Sequence, residues 1–111
     1  MWVFTETGFV SAVRKHGEVD LTVRARDRRS LEPLAERSNG KVEHSPLADY
    51  PYRISVSKAD FNAWLVEAVE RLTYTNFKSQ VAVTRGYEYA HALGGVWSTM
   101  HDVEDENARQ R

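Results

Sequence analysis

Residues 21–34 read LTVRARDRRSLEPL, and within this segment the sequence changes from a strand pattern to a helix pattern. Apolar and polar residues alternate strictly over residues 21–26, a period of two that is typical of a strand with one buried face. The side chains expected on its polar face are Thr22, Arg24 and Arg26. Asp27 ends the run, and its short carboxylate can accept hydrogen bonds from the first amides of a helix. The segment therefore predicts a strand that leads directly into a helix.

Two starting points are open for this first helix. It can begin at Asp27 as the N-cap, or near Ser30 with Pro33 in its first turn, because a proline in a helix interior costs about 3 kcal/mol. We expect the helix to end at residues 38–40. Gly40 can take the left-handed conformation that commonly follows a helix.

The remaining strands are predicted on either side of this segment. Residues 1–4 and 9–15 flank a break that contains a glycine, which indicates a hairpin. Residues 41–46 form a short candidate strand, and residues 52–57 alternate cleanly. The order is ββ(β)αββα followed by a C-terminal helical segment. It predicts an α+β fold of two layers, an antiparallel sheet with helices on one face, in a circular permutation of the ferredoxin-like arrangement.

The clearest helix pattern follows the last strand. Ser57, with Asp60 three residues later, is typical of a helix start in which the serine side chain caps the first turn. Apolar residues then recur at three- and four-residue spacing: Phe61, Trp64, Leu65, Ala68, Val69 and Leu72. We expect Trp64, in the middle of this stripe, to be largely buried against the sheet.

The C-terminal third predicts two more helices, over residues 77–84 and 87–101. Gly94 and Gly95 put the continuity of the second helix in question, because each glycine costs about 1 kcal/mol relative to alanine. Tyr87 and Trp97 fit one stripe, whereas Tyr89 lies about 200° from Tyr87 around the helix axis. We therefore expect something to contact this second face: either the segment docks across the open sheet face with Tyr89 outward, or it pairs with the same segment of a second copy. One domain is expected over residues 1–102, followed by a frayed tail over residues 103–111.

The composition is that of an ordinary globular domain. The 111 residues are 41% hydrophobic and 28% charged, carry a net charge of −1 and include no cysteine. Without cysteine, disulfides and thiolate chemistry are excluded, which fits the cytoplasm. No apolar run approaches the roughly 20 residues that span a bilayer, and the first residues do not resemble a signal peptide. We expect a cytoplasmic protein that does not bind membranes, and nucleic acid is an unlikely general partner.

No catalytic motif is recognisable. The nucleophile elbow, the phosphate-binding loop, the dinucleotide fingerprint and the His-Glu-x-x-His motif are all missing from the sequence. The four histidines, His16, His44, His91 and His101, show no metal-ligand spacing. We therefore expect a non-enzymatic protein with no catalytic residue, no metal and no cofactor.

Arginines on the polar strand face form one candidate site. Arg24, Arg26 and Arg53 belong to it, with Arg14 as a candidate fourth member, and such a face can bind the phosphates of nucleic acid. The favoured alternative is a solvated face, or pairing with acidic side chains of the C-terminal segment. A stacking platform also needs two adjacent central aromatic residues, which the strand pattern does not indicate.

Aromatic residues in the last helix form the other candidate site, because aromatic side chains carry much of the energy at protein interfaces. The glycine pair would let a neighbouring backbone approach closely. The candidate partner-binding residues are Tyr87, Tyr89, Gly94, Gly95 and Trp97. The preferred interpretation is a small binding module that contacts a protein partner or a second copy of itself, as a homodimer. Nucleic-acid binding is the second interpretation, and an enzyme without a recognisable motif is the third.

Five segments taken in order resemble a known family: MWVFTETGFVSAV, LTVRARDRRSLEPL, DYPYR, YTNFK and VWSTM. The resemblance covers residues 1–102 and is to short uncharacterised proteins of bacteria, notably actinobacteria, and of their phages. That family has no established activity, so the resemblance implies a self-standing domain and no catalytic residue or cofactor. The segment HALGGVW, with its two glycines, departs from the family pattern.

Overall fold

The computed structural model describes residues 1–108. The chain divides into two compact units, Met1–Tyr74 and Thr75–Arg111. The first unit contains the whole sheet and two helices, and the second contains two further helices. The predicted domain of residues 1–102 and its frayed tail stay predictions, and residues 109–111 of that tail lie outside the described residues.

The sheet of the first unit has five strands in the spatial order β1-β2-β3-β5-β4, and all neighbouring strands are antiparallel. The strands are β1 (Trp2–Thr5), β2 (Gly8–Val13), β3 (Leu21–Ala25), β4 (Glu43–His44) and β5 (Tyr52–Val56). Because β3 and β4 both run antiparallel to β5, the connection between them crosses over β5. Strands β2 to β5 with their two helices therefore have the predicted permuted arrangement, and β1 adds one edge strand. The α+β prediction is confirmed.

One face of this sheet carries the hydrophobic core. Its buried strand residues are Val10, Ala12, Val23, Ala25, Ile54 and Val56. They pack with Leu31, Leu34, Phe61 and Trp64 from the helical segments, and Trp64 is only 1% exposed. The prediction that Trp64 is buried is confirmed.

The first helical segment begins one residue later than a helix capped by Asp27 would, because Arg28 is at its N-cap position. A 3-10 turn, Arg29–Leu31, comes first and is followed by α1 (Glu32–Ser38). Asp27 Oδ1 accepts hydrogen bonds from the Ser30 amide at 3.2 Å and from Ser30 Oγ at 2.6 Å. Pro33 lies in the first turn of α1, where its missing N–H is not needed.

The end of α1 differs from the expectation at Gly40. Asn39, with φ 55°, takes the left-handed conformation, because asparagine tolerates this region better than other non-glycine residues. Gly40 is instead a site of close packing, since a Cβ atom there would lie 2.9 Å from Ile54 Cδ1.

Helix α2 (Lys58–Glu70) begins at the predicted cap, where Ser57 Oγ accepts a hydrogen bond from the Asp60 amide at 3.1 Å. Its apolar stripe is buried only over the first two turns. Val69 and Leu72 are exposed, and Leu72 lies beyond the end of the helix. Both side chains border a shallow groove beside β1, so the expected stripe is wrong at its C-terminal end.

The second unit is a helical hairpin. Helix α3 (Phe77–Arg85) and helix α4 (Tyr87–Met100) are joined by Gly86, whose φ of 97° favours glycine. Helix α4 is continuous through its glycine pair, and a 3-10 turn, His101–Val103, follows it. Within residues 1–108, none of the helices is both long and apolar enough to cross a membrane.

Candidate interaction surfaces

The sheet face opposite the core brings together residues from four strands. Directly opposite residues of antiparallel strands point to the same side. Phe4 pairs with Phe9, Ser11 with Arg24, and Arg24 with Arg53. We call the following set the arginine face: Trp2, Phe4, Phe9, Arg24, Arg53, and the adjoining Arg26 and Tyr50.

Tyr50 is the centre of the arginine face. The guanidinium carbons of Arg24 and Arg26 lie 4.7 and 4.6 Å from the centroid of its ring, within cation–π distance. Arg53 Nε donates to the Tyr50 carbonyl oxygen at 3.5 Å. Tyr50 lies in the loop before β5, so this loop contacts three arginines: Arg24 of β3, Arg26 just after β3, and Arg53 of β5.

The other acceptors of these arginines are uncharged. Arg24 Nη2 donates to Ser11 Oγ at 2.9 Å, and Arg26 Nη1 donates to the Asp49 carbonyl oxygen at 2.7 Å. Arg24 Nε is buried without an acceptor. In the part of the chain that the structure describes, no carboxylate forms an ion pair with Arg24, Arg26 or Arg53. Glu43 lies directly opposite Arg53 in the pairing of β4 with β5. The pairing of these arginines with acidic side chains of the C-terminal segment stays a prediction.

Aromatic rings adjoin the cluster. The Phe4 and Phe9 rings are stacked at 4.5 Å with an interplanar angle of 15°, and Trp2 meets the edge of Phe9 at 5.7 Å. Phe9 and Tyr50 have centroids 6.4 Å apart. The sheet therefore has two adjacent aromatic residues on this face, but Phe4 lies on the edge strand β1, so they are not the two central residues that a stacking platform was expected to need. The two-residue turn between β1 and β2 sets a register that places Phe4 opposite Phe9, and this register is the signal that sequence reasoning missed.

Arg14 does not belong to this cluster. It follows the end of β2, and its Nη1 atom donates to the Glu18 carbonyl oxygen of the next loop at 3.1 Å. The guanidinium carbon of Arg28 lies 5.3 Å from the centroid of the Tyr52 ring, and this ring stacks on His44 at 4.6 Å. The assembled candidate nucleic-acid-binding residues are thus Arg24, Arg26 and Arg53.

Helix α4 presents a different face from the one expected. Tyr87 and Trp97 are 78% and 74% exposed, whereas Tyr89 is half-buried with Arg85 3.9 Å above its ring. The prediction that Tyr89 points outward is wrong. The face of α4 toward α3 is centred on the small residue Ala90, which lets the helices approach, and Tyr89 lies beside it.

The apolar face of α4 continues beyond the N-terminal end of α3, where no residue of α3 lies opposite it. Lys78, in the first turn of α3, lies beside Gly94, where its Nζ would be 3.0 Å from an added Cβ atom. Beyond this point four apolar residues follow at the helical spacing of Ala90 and Leu93. We call them the α4 stripe, and all are exposed: Val96, Trp97, Met100 and Val103.

Gly94 and Gly95 have different surroundings. Gly94 faces Lys78 and so helps α3 and α4 to pack, whereas an added Cβ atom at Gly95 would meet nothing within 4 Å. Of the five candidate partner-binding residues, Tyr87, Gly95 and Trp97 are therefore accessible. Val96, Met100 and Val103 were not among the candidates, although their spacing of four and three residues is a sequence signal for one helix face.

The histidines do not gather. His44 stacks on Tyr52, His91 stacks on Tyr87 at 6.3 Å, and His101 Nδ1 lies 3.2 Å from Glu104 Oε2. Among residues 1–108, no group of three or more histidine, aspartate or glutamate side chains is arranged to hold a metal ion. Comparison with protein-family models, curated proteins and solved structures finds no match.

Proposed function

We propose that the protein is a binding module that acts through protein–protein contacts, and that the α4 stripe is its contact surface. One observation carries this proposal: the helix face that is covered by α3 in the first half of α4 continues, apolar and exposed, through the second half. Monomeric proteins rarely leave such a contiguous apolar row in water, so a row of this kind marks an interaction site.

The occupant that fits best is a second copy of the chain. In an antiparallel pair centred between Trp97 and Met100, each stripe would cover the other and take the place of the turns that α3 lacks. Such an interface is isologous, so one surface has to be complementary to itself.

The positions of charged residues near the α4 stripe support the same antiparallel pairing of two copies. Lys78 lies beside Gly94, on the N-terminal side of the stripe, while Asp102 and Asp105 adjoin its C-terminal end. Antiparallel pairing places the lysine of one copy near the acidic residues of the other. Opposite charges across an interface fix its register and favour association.

The expected dimer is weak. Stable complexes bury about 800 Å² on each partner, which four side chains of this size do not reach. We therefore expect a dissociation constant in the micromolar range or above, and a dimer fraction that rises with protein concentration.

Sedimentation equilibrium tests the proposal with a matched pair of variants. Trp97→Glu should abolish the dimer, whereas Tyr87→Glu should leave it intact. Tyr87 is as exposed as Trp97, but it is the first residue of α4 and lies more than two turns before the α4 stripe begins at Val96. Tyr89 is not suitable, since it is half-buried. A parent protein that stays monomeric at every accessible concentration overturns the proposal, and so does a Trp97→Glu protein that still dimerises.

Charge reversal tests the register. Lys78→Glu should weaken the dimer, and Asp102→Lys together with Asp105→Lys in the same chain should restore it. If the double reversal does not restore association, the antiparallel pairing is wrong even where the stripe is the interface.

A further inference from the structure

We propose that the arginine face binds single-stranded nucleic acid, with phosphates at Arg24, Arg26 and Arg53 and bases against the rings of Trp2, Phe4 and Phe9. This site belongs to the first unit and the α4 stripe to the second, so the proposal does not depend on self-association.

The positive charge of the arginine cluster favours an anionic ligand. Guanidinium groups carry five N–H donors, and the structure uses one from Arg24 toward Ser11 and one from Arg26 toward Asp49. The acceptors are a hydroxyl and a carbonyl oxygen, which hold these two arginines in place without carrying a charge. Arginines held in this way bind phosphate oxygens well, because the planar fork matches the geometry of the phosphate.

The aromatic rings beside the cluster favour nucleic acid over a small anion as the ligand. Base–aromatic stacking contributes about 1–3 kcal/mol per base and tolerates any sequence. Trp2, 69% exposed, is the most accessible ring, and it adjoins the stacked pair of Phe4 and Phe9. The surface therefore combines stacking groups and phosphate-binding groups within a few ångströms of each other.

The spacing of the rings favours a single strand over a duplex. Trp2 and Tyr50 lie 5.7 and 6.4 Å from Phe9, which is wider than the rise of about 3.4 Å between stacked bases. Bases would have to separate to reach successive rings, as they do when proteins recognise single strands. A closed duplex keeps its bases stacked and would offer only its phosphates.

The expected affinity is modest, because only three arginines take part and the whole chain has a net charge of −1. For single strands the logarithm of the binding constant falls by about 0.7 per phosphate contact for each tenfold rise in salt. Three contacts predict a slope near −2, so affinity should fall about 20-fold between about 50 and about 200 mM salt.

Fluorescence anisotropy with labelled oligouridylate and oligothymidylate of twelve nucleotides (a length of the order that one small binding surface occupies) is the direct test. The twelve-base-pair duplex is the comparison, and the protein is the full chain carrying Trp97→Glu, so that dimerisation does not contribute. We expect the single strands to bind at about 50 mM salt and the duplex to bind at least tenfold more weakly. Equal binding of duplex and single strand overturns the proposal, as does no binding of either.

Matched variants locate the site. Arg24→Ala with Arg26→Ala should weaken binding at least tenfold. Arg14→Ala with Arg71→Ala removes the same charge from exposed positions off the face and should change binding less than twofold. Equal losses in the two double variants would show diffuse charge attraction and overturn the site. If loss of the partly buried Arg24 unfolds the protein, the exposed Arg26→Ala alone gives the same comparison.

The contribution of the aromatic rings to binding distinguishes nucleic acid from an acidic protein segment as the ligand of this face. Trp2→Leu keeps an apolar side chain but removes the stacking ring, and it should weaken oligonucleotide binding at least fivefold, the equivalent of about 1 kcal/mol. Polyglutamate of similar length should bind more weakly than the oligonucleotide and should not respond to Trp2→Leu. Polyglutamate that binds as tightly, with oligonucleotide binding unaffected by Trp2→Leu, would assign the face to an acidic peptide and overturn the proposal.

Discussion

Trp64 and Trp97 occupy equivalent positions, each in the middle of an apolar helical stripe, yet their surroundings differ completely. Trp64 is 1% exposed and packs with Phe61 against a sheet, whereas Trp97 is 74% exposed. Helix α2 lies over a sheet of five strands. Helix α4, with 14 residues, packs on a helix of only nine, which is about 7 Å shorter at 1.5 Å per residue.

The difference shows that an apolar stripe specifies what a helix face can bury, and that the opposing element decides how much of it is buried. In the first unit the strands reach far enough to cover Phe61 and Trp64, but not Val69 and Leu72. In the second unit the N-terminal end of α3 lies beside Gly94, and the apolar residues of α4 beyond it are exposed.

The largest expected effect is at Trp64. Trp64→Ala should lower the free energy of unfolding by about 3–5 kcal/mol, because it removes a large buried side chain and leaves a cavity beside Phe61. Urea denaturation followed by far-UV circular dichroism measures this loss. A variant that unfolds at the same urea concentration as the parent would show that α2 does not contribute to the core.

The helix caps test local stabilisation in both regions. Ser57→Ala and Asn76→Ala each remove a side chain that accepts a hydrogen bond from a first-turn amide, so each should cost about 1 kcal/mol. Hydrogen exchange of the first-turn amides of α2 and α3 reports the two losses separately. Ser55→Ala, which removes an exposed serine of β5, is the control and should change protection in neither helix.

Two glycine-to-alanine substitutions should change the stability of the helical hairpin in opposite directions. Gly95→Ala should stabilise α4 by about 0.5–1 kcal/mol, because alanine has the higher helix propensity and its Cβ would meet nothing. Gly86→Ala should destabilise the hairpin, since its φ of 97° strains any other residue. Thermal unfolding of the two variants checks the signs, and a less stable Gly95→Ala protein would contradict an open environment at that position.

The smallest expected change in stability is at Trp97, the exposed tryptophan of the pair compared above. Trp97→Ala should change the free energy of unfolding by less than about 0.5 kcal/mol at concentrations where the protein is monomeric, because an exposed side chain is exposed in both states. The measurement is the same urea titration as for Trp64→Ala. A loss comparable to that of Trp64→Ala would mean that the α4 stripe is covered within a single chain.

Patterns confined to a few neighbouring residues could be read without the structure. Alternation predicted β3 and β5, and the cap at Ser57 predicted the start of α2. Each depends on a period or on a hydrogen bond between residues three positions apart. Asp27 likewise accepts a hydrogen bond from the Ser30 amide three positions later, although it lies one residue before the N-cap position.

Long-range arrangement had to come from the tertiary structure. Sequence alone identified Arg24, Arg26 and Arg53 as one polar face, but their common centre, Tyr50, lies in a loop 24 or more residues from the strand arginines it contacts. The adjacency of Phe4 and Phe9 depends on strand register, in which a shift of one residue would move every side chain to the other face.

Periodicity and capping act along the chain, so the sequence by itself determined the strands, the start of α2 and the polar face of β3 and β5. Only the tertiary structure decided that Tyr89 turns inward, that the arginines remain without carboxylate partners among the described residues, and that the second half of α4 stays uncovered. The physical reason is that burial and charge neutralisation depend on what lies opposite, and the opposing residues come from distant parts of the chain.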